Sequence, residues 1–340
     1  MAAQSRMFYG PVAEKEENLM EATTAHVTSL KLRCPSCGFE LGNMPGLPTV
    51  PVACGQCGFS IAGRSDYWDA CTDKSYPRDF AKQWLLWEAG KLGDPTLVYG
   101  HDPEHYFREF LTHTSLRPEQ LASMKILEAG FGHGRLLQQI QKWSPSAYGI
   151  DLSKPLPSAH LRPGSAIFGN LLSIPFMPGQ FDLVVCRGVV HHTPDPEASF
   201  GCVAEQVAID GRLYFAGCYE PGKGMLFLRK FLPRSWNYPE PVLLALATLF
   251  SGVRALLEAA RTQKFTLSAL KRFYAHYKLD VFDVMAPRWS GTLSEDTVVP
   301  WFSSRGFEVC KVGHGSYVGV RKDSPRVLEL ELASRSGFRK

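Results

Sequence analysis

From Lys125 onward the chain alternates short apolar runs with helical stretches. Apolar runs stand at 125–129, 147–150, 166–168, 181–186 and 212–217, and a helical stretch fills 133–142. Short buried strands alternating with helices predict a parallel α/β sheet with helices on both faces. Ahead of it, "DPEHYFREFLTHT" (102–114) opens on Asp-Pro, a helix start. Residues 221–290 interrupt the alternation. There "PVLLALATLFSGVRALLEAA" reads as a helix that is apolar on most sides of its first half. "LSALKRFYAHY" places Leu267, Leu270, Phe273, Tyr274 and Tyr277 on one helical face. Alternation resumes with "SEDTVVPWFSSRGFEVCKV", a helix then a strand, and "SYVGVR", a last strand.

This pattern divides the chain into a polar, partly disordered lead (1–29), a compact Cys/Gly/Pro-rich unit (30–64) and a helical connector (65–121). A main α/β domain (122–322) follows, with a helical lid inserted at 221–290, then a loose tail (323–340). With 340 residues, 45% of them hydrophobic, the chain can bury a sizeable core. A net charge of +4 is too mild for a general nucleic-acid binder. The charge is uneven: 221–290 holds eleven Lys/Arg against four Asp/Glu, so the rest is slightly acidic. The first residues carry acids and no apolar run, unlike a signal peptide. The most apolar stretch, Val242–Val253, falls short of the roughly 20 residues that span a bilayer. A soluble cytoplasmic protein without a transmembrane segment is expected.

Four of the nine cysteines form two pairs, "CPSCG" (34–38) and "CGQCG" (54–58), sixteen residues apart. Each CxxC fits a tight knuckle, and the glycine after it lets both thiolates face one ion. Cys34, Cys37, Cys54 and Cys57 would complete a tetrahedral Zn2+ site with no open position, hence a structural one. The competing reading, a redox dithiol, needs a CxxC at a helix start, which this Gly/Pro-rich setting does not suggest.

"ILEAGFGHGR" (126–135) ends a strand and opens a helix. Gly130, Gly132 and Gly134 allow a tight turn and close approach of a ligand. Asp151 in "YGIDLS" ends the next strand, 23 residues after Glu128, and suits a ribose diol. A nicotinamide dinucleotide would need a glycine where Arg135 stands. Glu128 would also repel a pyrophosphate, whereas it helps hold the ammonium of S-adenosylmethionine (SAM).

With "GNLLSIPFMPGQFDLVVCRGVVHHTPDP" added, the chain resembles class I SAM-dependent methyltransferases, of the superfamily that includes the ubiquinone/menaquinone C-methyltransferases. The likeness spans about 122–322 and implies a Rossmann-like sheet with helices on both faces. It implies that the glycine loop grips the methionine part, Asp151 and Leu152 the ribose, and Asn170 and Leu171 the adenine. The methyl group would lie near the end of "FDLVVC", with Arg187 facing the substrate or the SAM carboxylate. An acid usually stands where Asn170 does. Residues 30–64 resemble the zinc ribbon attached to some of these enzymes, and the zinc-ribbon partner of tRNA and rRNA methyltransferases.

Candidates for the chemistry are His191, His192 and Tyr219. The histidines have a second reading, bonding backbone and shaping the loop ahead of a helix at "PDPEAS", which Asp195 or Thr193 can cap. His133 reads as a solvated loop residue. The "PRW" segment resembles one that returns to the active site, making Arg288 and Trp289 candidates. The expected acceptor is a small molecule, anionic or lipidic, under a basic aromatic lid. RNA methylation is the second reading, and a non-catalytic SAM-binding or interaction protein the third.

Overall fold

The computed structural model describes residues 30–72, 79–154, 159–217, 228 and 230–325. The polar lead, Tyr219, the start of the lid and the end of the tail lie outside them. Twelve strands appear among the described residues: β1 (Lys31–Arg33), β2 (Glu40–Asn43), β3 (Val52–Ala53), β4 (Ser60–Gly63), β5 (Tyr67–Asp69), β6 (Ile126–Ala129), β7 (Ala147–Asp151), β8 (Ala166–Phe168), β9 (Phe181–Arg187), β10 (Val207–Ala216), β11 (Phe307–Gly313) and β12 (Ser316–Arg321). The helices are α1 (Asp79–Glu88), α2 (Pro103–Thr114), α3 (Arg135–Gln141), α4 (Pro196–Ala204), α5 (Glu240–Thr262), α6 (Leu267–Met285) and α7 (Glu295–Ser304).

Ten strands make one sheet in the order β11-β12-β10-β9-β6-β7-β8-β5-β4-β3. The strands from β10 to β5 run parallel. At each end the sheet turns antiparallel, through β12 and β11 on one side and β4 and β3 on the other. The strand order reverses at β6 and β9, where β7 lies to one side and β10 to the other. Outside the carboxyl ends of the strands at such a reversal lies the usual ligand crevice of an open α/β sheet.

The predicted strands and helices of the α/β unit are all present. β9 is buried on both faces from Leu183 to Cys186, which explains the unbroken apolar run there. α2 starts where Asp102 accepts a hydrogen bond from His105 N–H at 2.7 Å, with Pro103 in the first turn. α4 is capped by Asp195, which accepts from Ala198 N–H at 3.0 Å. Phe200, Phe215, Phe302 and Phe307 pack edge to face between α4, α7 and the sheet. Truncating a buried ring such as Phe302 to Ala typically costs about 3–5 kcal/mol.

Two features go beyond the sequence reading. The connector contains β5, a strand of three residues whose partner β8 lies about a hundred residues later. Through β5, strands β3 and β4 of the cysteine unit continue the main sheet. The second feature is α5, which is 23 residues long and by length and composition apolar enough to cross a membrane. One side of it is nevertheless buried within the protein, at Leu243, Ala247, Ser251, Ala255 and Ala259.

Candidate active site

A cleft of about 720 Å³ opens at the carboxyl ends of β6, β7 and β9. Its size suits a cofactor and a small co-substrate. Glu128, Gly130, Gly132, Asp151, Leu152, Asn170, Leu171 and Arg187 all line it, as do His191 and His192. Gly134 lies behind the lining, at the start of α3.

The glycine loop is forced by its surroundings. Gly130 has φ +88°, and its N–H donates to Ile150 O at 2.7 Å. A Cβ there would stand 2.2 Å from a methyl carbon of Val189. Gly132 N–H donates to Asp151 Oδ2 at 2.8 Å, and Ser153 N–H donates to Asp151 Oδ1 at 2.6 Å. Both oxygens of Asp151 are thus oriented by backbone, each with lone pairs to spare for a diol. Burial raises its pKa, against those hydrogen bonds. Glu128 is buried more completely, and its Oε2 has no hydrogen-bond partner among the described residues. Burial, then the Asp151 charge, push its pKa well above the usual carboxylate range, with Arg187 opposing. A buried carboxyl oxygen left without a partner beside bare glycine backbone fits a cationic group such as an ammonium.

Asn170 is committed locally. Its Oδ1 accepts from Leu172 N–H at 3.0 Å and starts a short turn over Leu171–Ser173. His133 departs from the reading as a solvated loop residue. Its ring is wedged against Trp84 and Trp87 of α1, at centroid distances of 4.9 and 5.6 Å. Burial pulls its pKa down to about 3, so it stays neutral. The tryptophans that enclose it lie far upstream in sequence, beyond the reach of a local pattern.

Past the glycine loop the cleft runs between α2 and the α5–α6 pair. Arg187 donates to Glu109 Oε2 at 2.9 Å, and its guanidinium lies 4.1 Å from the Tyr106 ring centroid. His101 and His105 stack at 4.0 Å on the same wall. Arg254, His276, Tyr277 and Asp280 face them from the helix pair. Arg254 donates to Asp280 Oδ2 at 2.7 Å.

His191 and His192 sit on a short turn after β9. Burial, then His192, hold the His191 pKa well below its usual range. His192 Nδ1 lies 3.2 Å from Trp289 O, and its Nε2 3.4 Å from Asp283 Oδ2. Both ring nitrogens therefore meet oxygen acceptors. Gln83 Nε2 donates to Asp283 Oδ1 at 2.9 Å. Burial raises the Asp283 pKa, but His192 and the Gln83 hydrogen bond outweigh it, and the net shift is downward. Gly291 N–H donates to His191 O at 2.8 Å, so the segment after α6 is stitched to the histidine turn. Arg288 packs over the Trp289 ring at 5.1 Å. Sequence reasoning missed Asp283, Gln83 and Glu109. The charged positions on predicted helices were visible, but not which way they face.

At the other end of the sheet, the sulfurs of Cys34, Cys37, Cys54 and Cys57 lie within 4.8 Å of one another. It is the one His/Cys/Asp/Glu group among the described residues with metal-holding geometry. The two knuckles repeat each other. Gly38 N–H donates to Cys34 O and Gly58 N–H to Cys54 O, both glycines at positive φ. Cys34 N–H and Cys54 N–H donate to Phe39 O and Phe59 O, each at 2.8 Å. The Phe59 N–H favours the Cys57 thiolate, lowering its pKa to about 7.

The methyltransferase domain family matches residues 99–311. A ubiquinone biosynthesis O-methyltransferase from Thiobacillus denitrificans is 31% identical over 129 residues, 34% of this chain and 56% of that protein. The chain thus spans about half the length of the first curated relatives it matches. Among solved structures, magnesium protoporphyrin IX methyltransferase from Synechocystis is 14% identical with a TM-score of 0.40, over 71% of this chain and 93% of that one. A sugar N-methyltransferase from Streptoalloteichus is 12% identical with a TM-score of 0.38, over 66% and 93%. The domain match covers more than half of the 340 residues, so the chain belongs to that family, of the class I S-adenosylmethionine-dependent methyltransferases.

Proposed function

We propose that the chain methylates a small-molecule acceptor, lipid-linked or otherwise, bound between α2 and the α5–α6 pair. One observation carries the reading. A single cleft joins the glycine loop to a wall of aromatic, histidine and charged side chains drawn from α2 and the lid. The similar curated proteins, named as ubiquinone biosynthesis O-methyltransferases, support a small acceptor. SAM supplies an electrophilic methyl group when bound. The Gly130–Gly134 loop and Glu128 would hold its amino-acid part, Asp151 and Leu152 the ribose, and Asn170 and Leu171 the adenine end. Positioning then supplies much of the rate, and a base matters only for an acceptor that carries a proton. His192, with both nitrogens engaged, acts in this reading as a positioning residue that ties the lid to the end of β9. His191 stays neutral and closes the cleft floor.

The test is incubation of the chain with methyl-labelled SAM and separated extracts of small molecules and RNA. Label in the small-molecule fraction is expected. Label confined to RNA would overturn the reading. Residues 30–64 hold only Lys31, Arg33 and Arg64 against Glu40, a weak basic surface for gripping phosphates.

The four-cysteine group is proposed as a structural zinc site. Thiolate chemistry, sulfur proximity and the paired knuckles all fit the ion, and four sulfurs leave no position for substrate. Metal analysis should find one zinc per chain, lost in Cys34→Ser together with thermal stability. A metal-free wild-type chain of unchanged stability would remove the proposal.

A further inference from the structure

The outer side of the α5–α6 pair presents a surface that methyl transfer does not use. The buried positions of α5 recur every fourth residue from Leu243 to Ala259 and are mostly Ala or Ser. At about 100° per residue, Val242, Leu249, Val253, Leu256 and Leu257 fall on the opposite side. They are 43–65% exposed. The usual amphipathic order is thus inverted, with small side chains inside and large apolar ones outside. Phe265 and Leu267, 64% and 69% exposed, extend the patch around the turn into α6. Exposed cations border it at Arg261, Lys264, Lys271 and Arg272. Glu258 is the only acid between Val253 and Arg272, and it pairs with Arg261.

We propose that the outer face of α5 and the α5–α6 turn dock on the anionic surface of a lipid bilayer. Three observations select that occupant. A second copy meeting this face symmetrically would bring like charges together, whereas acidic headgroups accept them. The most apolar window of α5 has a mean hydropathy of 1.7 and is only 28% buried, which suits the acyl boundary. Its inner side is fixed to the protein, so the helix lies on the interface and does not span it. The same two helices line the cleft from within through Arg254, His276, Tyr277 and Asp280, so docking sets the cleft beside the lipid. An acceptor with an apolar tail then reaches the cleft directly. That consequence rests on the small-molecule reading above, whereas the docking itself does not.

The test is flotation of the full chain with phosphatidylcholine vesicles, with and without one third phosphatidylglycerol. The protein should float with the anionic vesicles on the order of tenfold better, and added salt should release it. Leu256→Asp with Leu257→Asp should abolish flotation while melting temperature and SAM binding stay as in wild type, because both side chains are exposed. No flotation, or flotation unchanged in the double variant, overturns the proposal. So does a concentration-dependent dimer that the double variant dissolves, since a second copy would then cover the face. Calorimetry with SAM on the same samples separates the two readings. A chain that binds SAM without floating loses only the docking, and one that floats without binding SAM loses only the methyl-transfer reading.

Discussion

The two ends of the cleft are held together by different means. At the end proposed for the cofactor, neighbouring strand ends supply consecutive loops, and the backbone orients the polar groups. Asp151 is fixed by the N–H groups of Gly132 and Ser153, and Asn170 by that of Leu172. At the end proposed for the acceptor, side chains distant in sequence hold one another: Arg187 with Glu109, Arg254 with Asp280, and Asp283 with Gln83 and His192. Groups oriented by backbone persist as long as the fold does. Groups oriented by side chains can be exchanged one at a time, so acceptor choice can drift while the donor stays in place.

Four substitutions probe that contrast, from the largest expected effect down. Gly130→Val should lose SAM binding altogether by calorimetry, because its side chain would overlap Val189 and the backbone is at positive φ. Retained binding would show that the loop is not fixed by its fold. Asp151→Asn keeps one acceptor oxygen but loses the charge-assisted bonds, and should weaken SAM about 10- to 100-fold. Asp283→Asn should leave SAM affinity within about twofold while lowering turnover about tenfold, as the lid loosens from β9. An equal loss in both would mean the two ends are coupled. The smallest effect should be a gain. Glu128 has a raised pKa in the fold, so its contribution to stability is full below the unfolded value near 4 and is lost as pH rises through the folded one. Glu128→Gln should therefore melt a few degrees higher than wild type at pH 8, with the difference vanishing in acid, and bind SAM less tightly. Asp283, with its lowered pKa, has the opposite sign. Its contribution is present above the unfolded value and fades as pH falls, which Asp283→Asn melting curves at pH 3 and pH 7 would register.

The same contrast explains what the sequence revealed. The glycine loop, Glu128 and Asp151 sit within one β-α-β unit, so spacing alone brings them together. The cysteine pairs are legible for the same reason, since each knuckle is closed by hydrogen bonds within six residues. Helices α5 and α6 were readable as helices, but periodicity does not say that the larger apolar side of α5 faces outward. Nor does it place Gln83 against Asp283, 200 residues away. His133 looked solvated because the tryptophans enclosing it belong to another helix. Strand β5 escaped notice because three residues carry no period, and only the pairings with β4 and β8 make them a strand.

That pairing has a consequence for assembly. The cysteine knuckles need only their own stretch of chain, so they can close while the rest is still being synthesised. β5 must wait for Ala166–Phe168, which leaves the ribosome about a hundred residues later. Until then Tyr67–Asp69 is an edge strand, paired with β4 on one side and with bare hydrogen-bonding groups on the other. The seam between β5 and β8 is thus a long-range contact that closes late, and loop-closure entropy sets its delay. Variants at Trp68 or Ile167 should slow the final folding phase more than they disturb the earlier one.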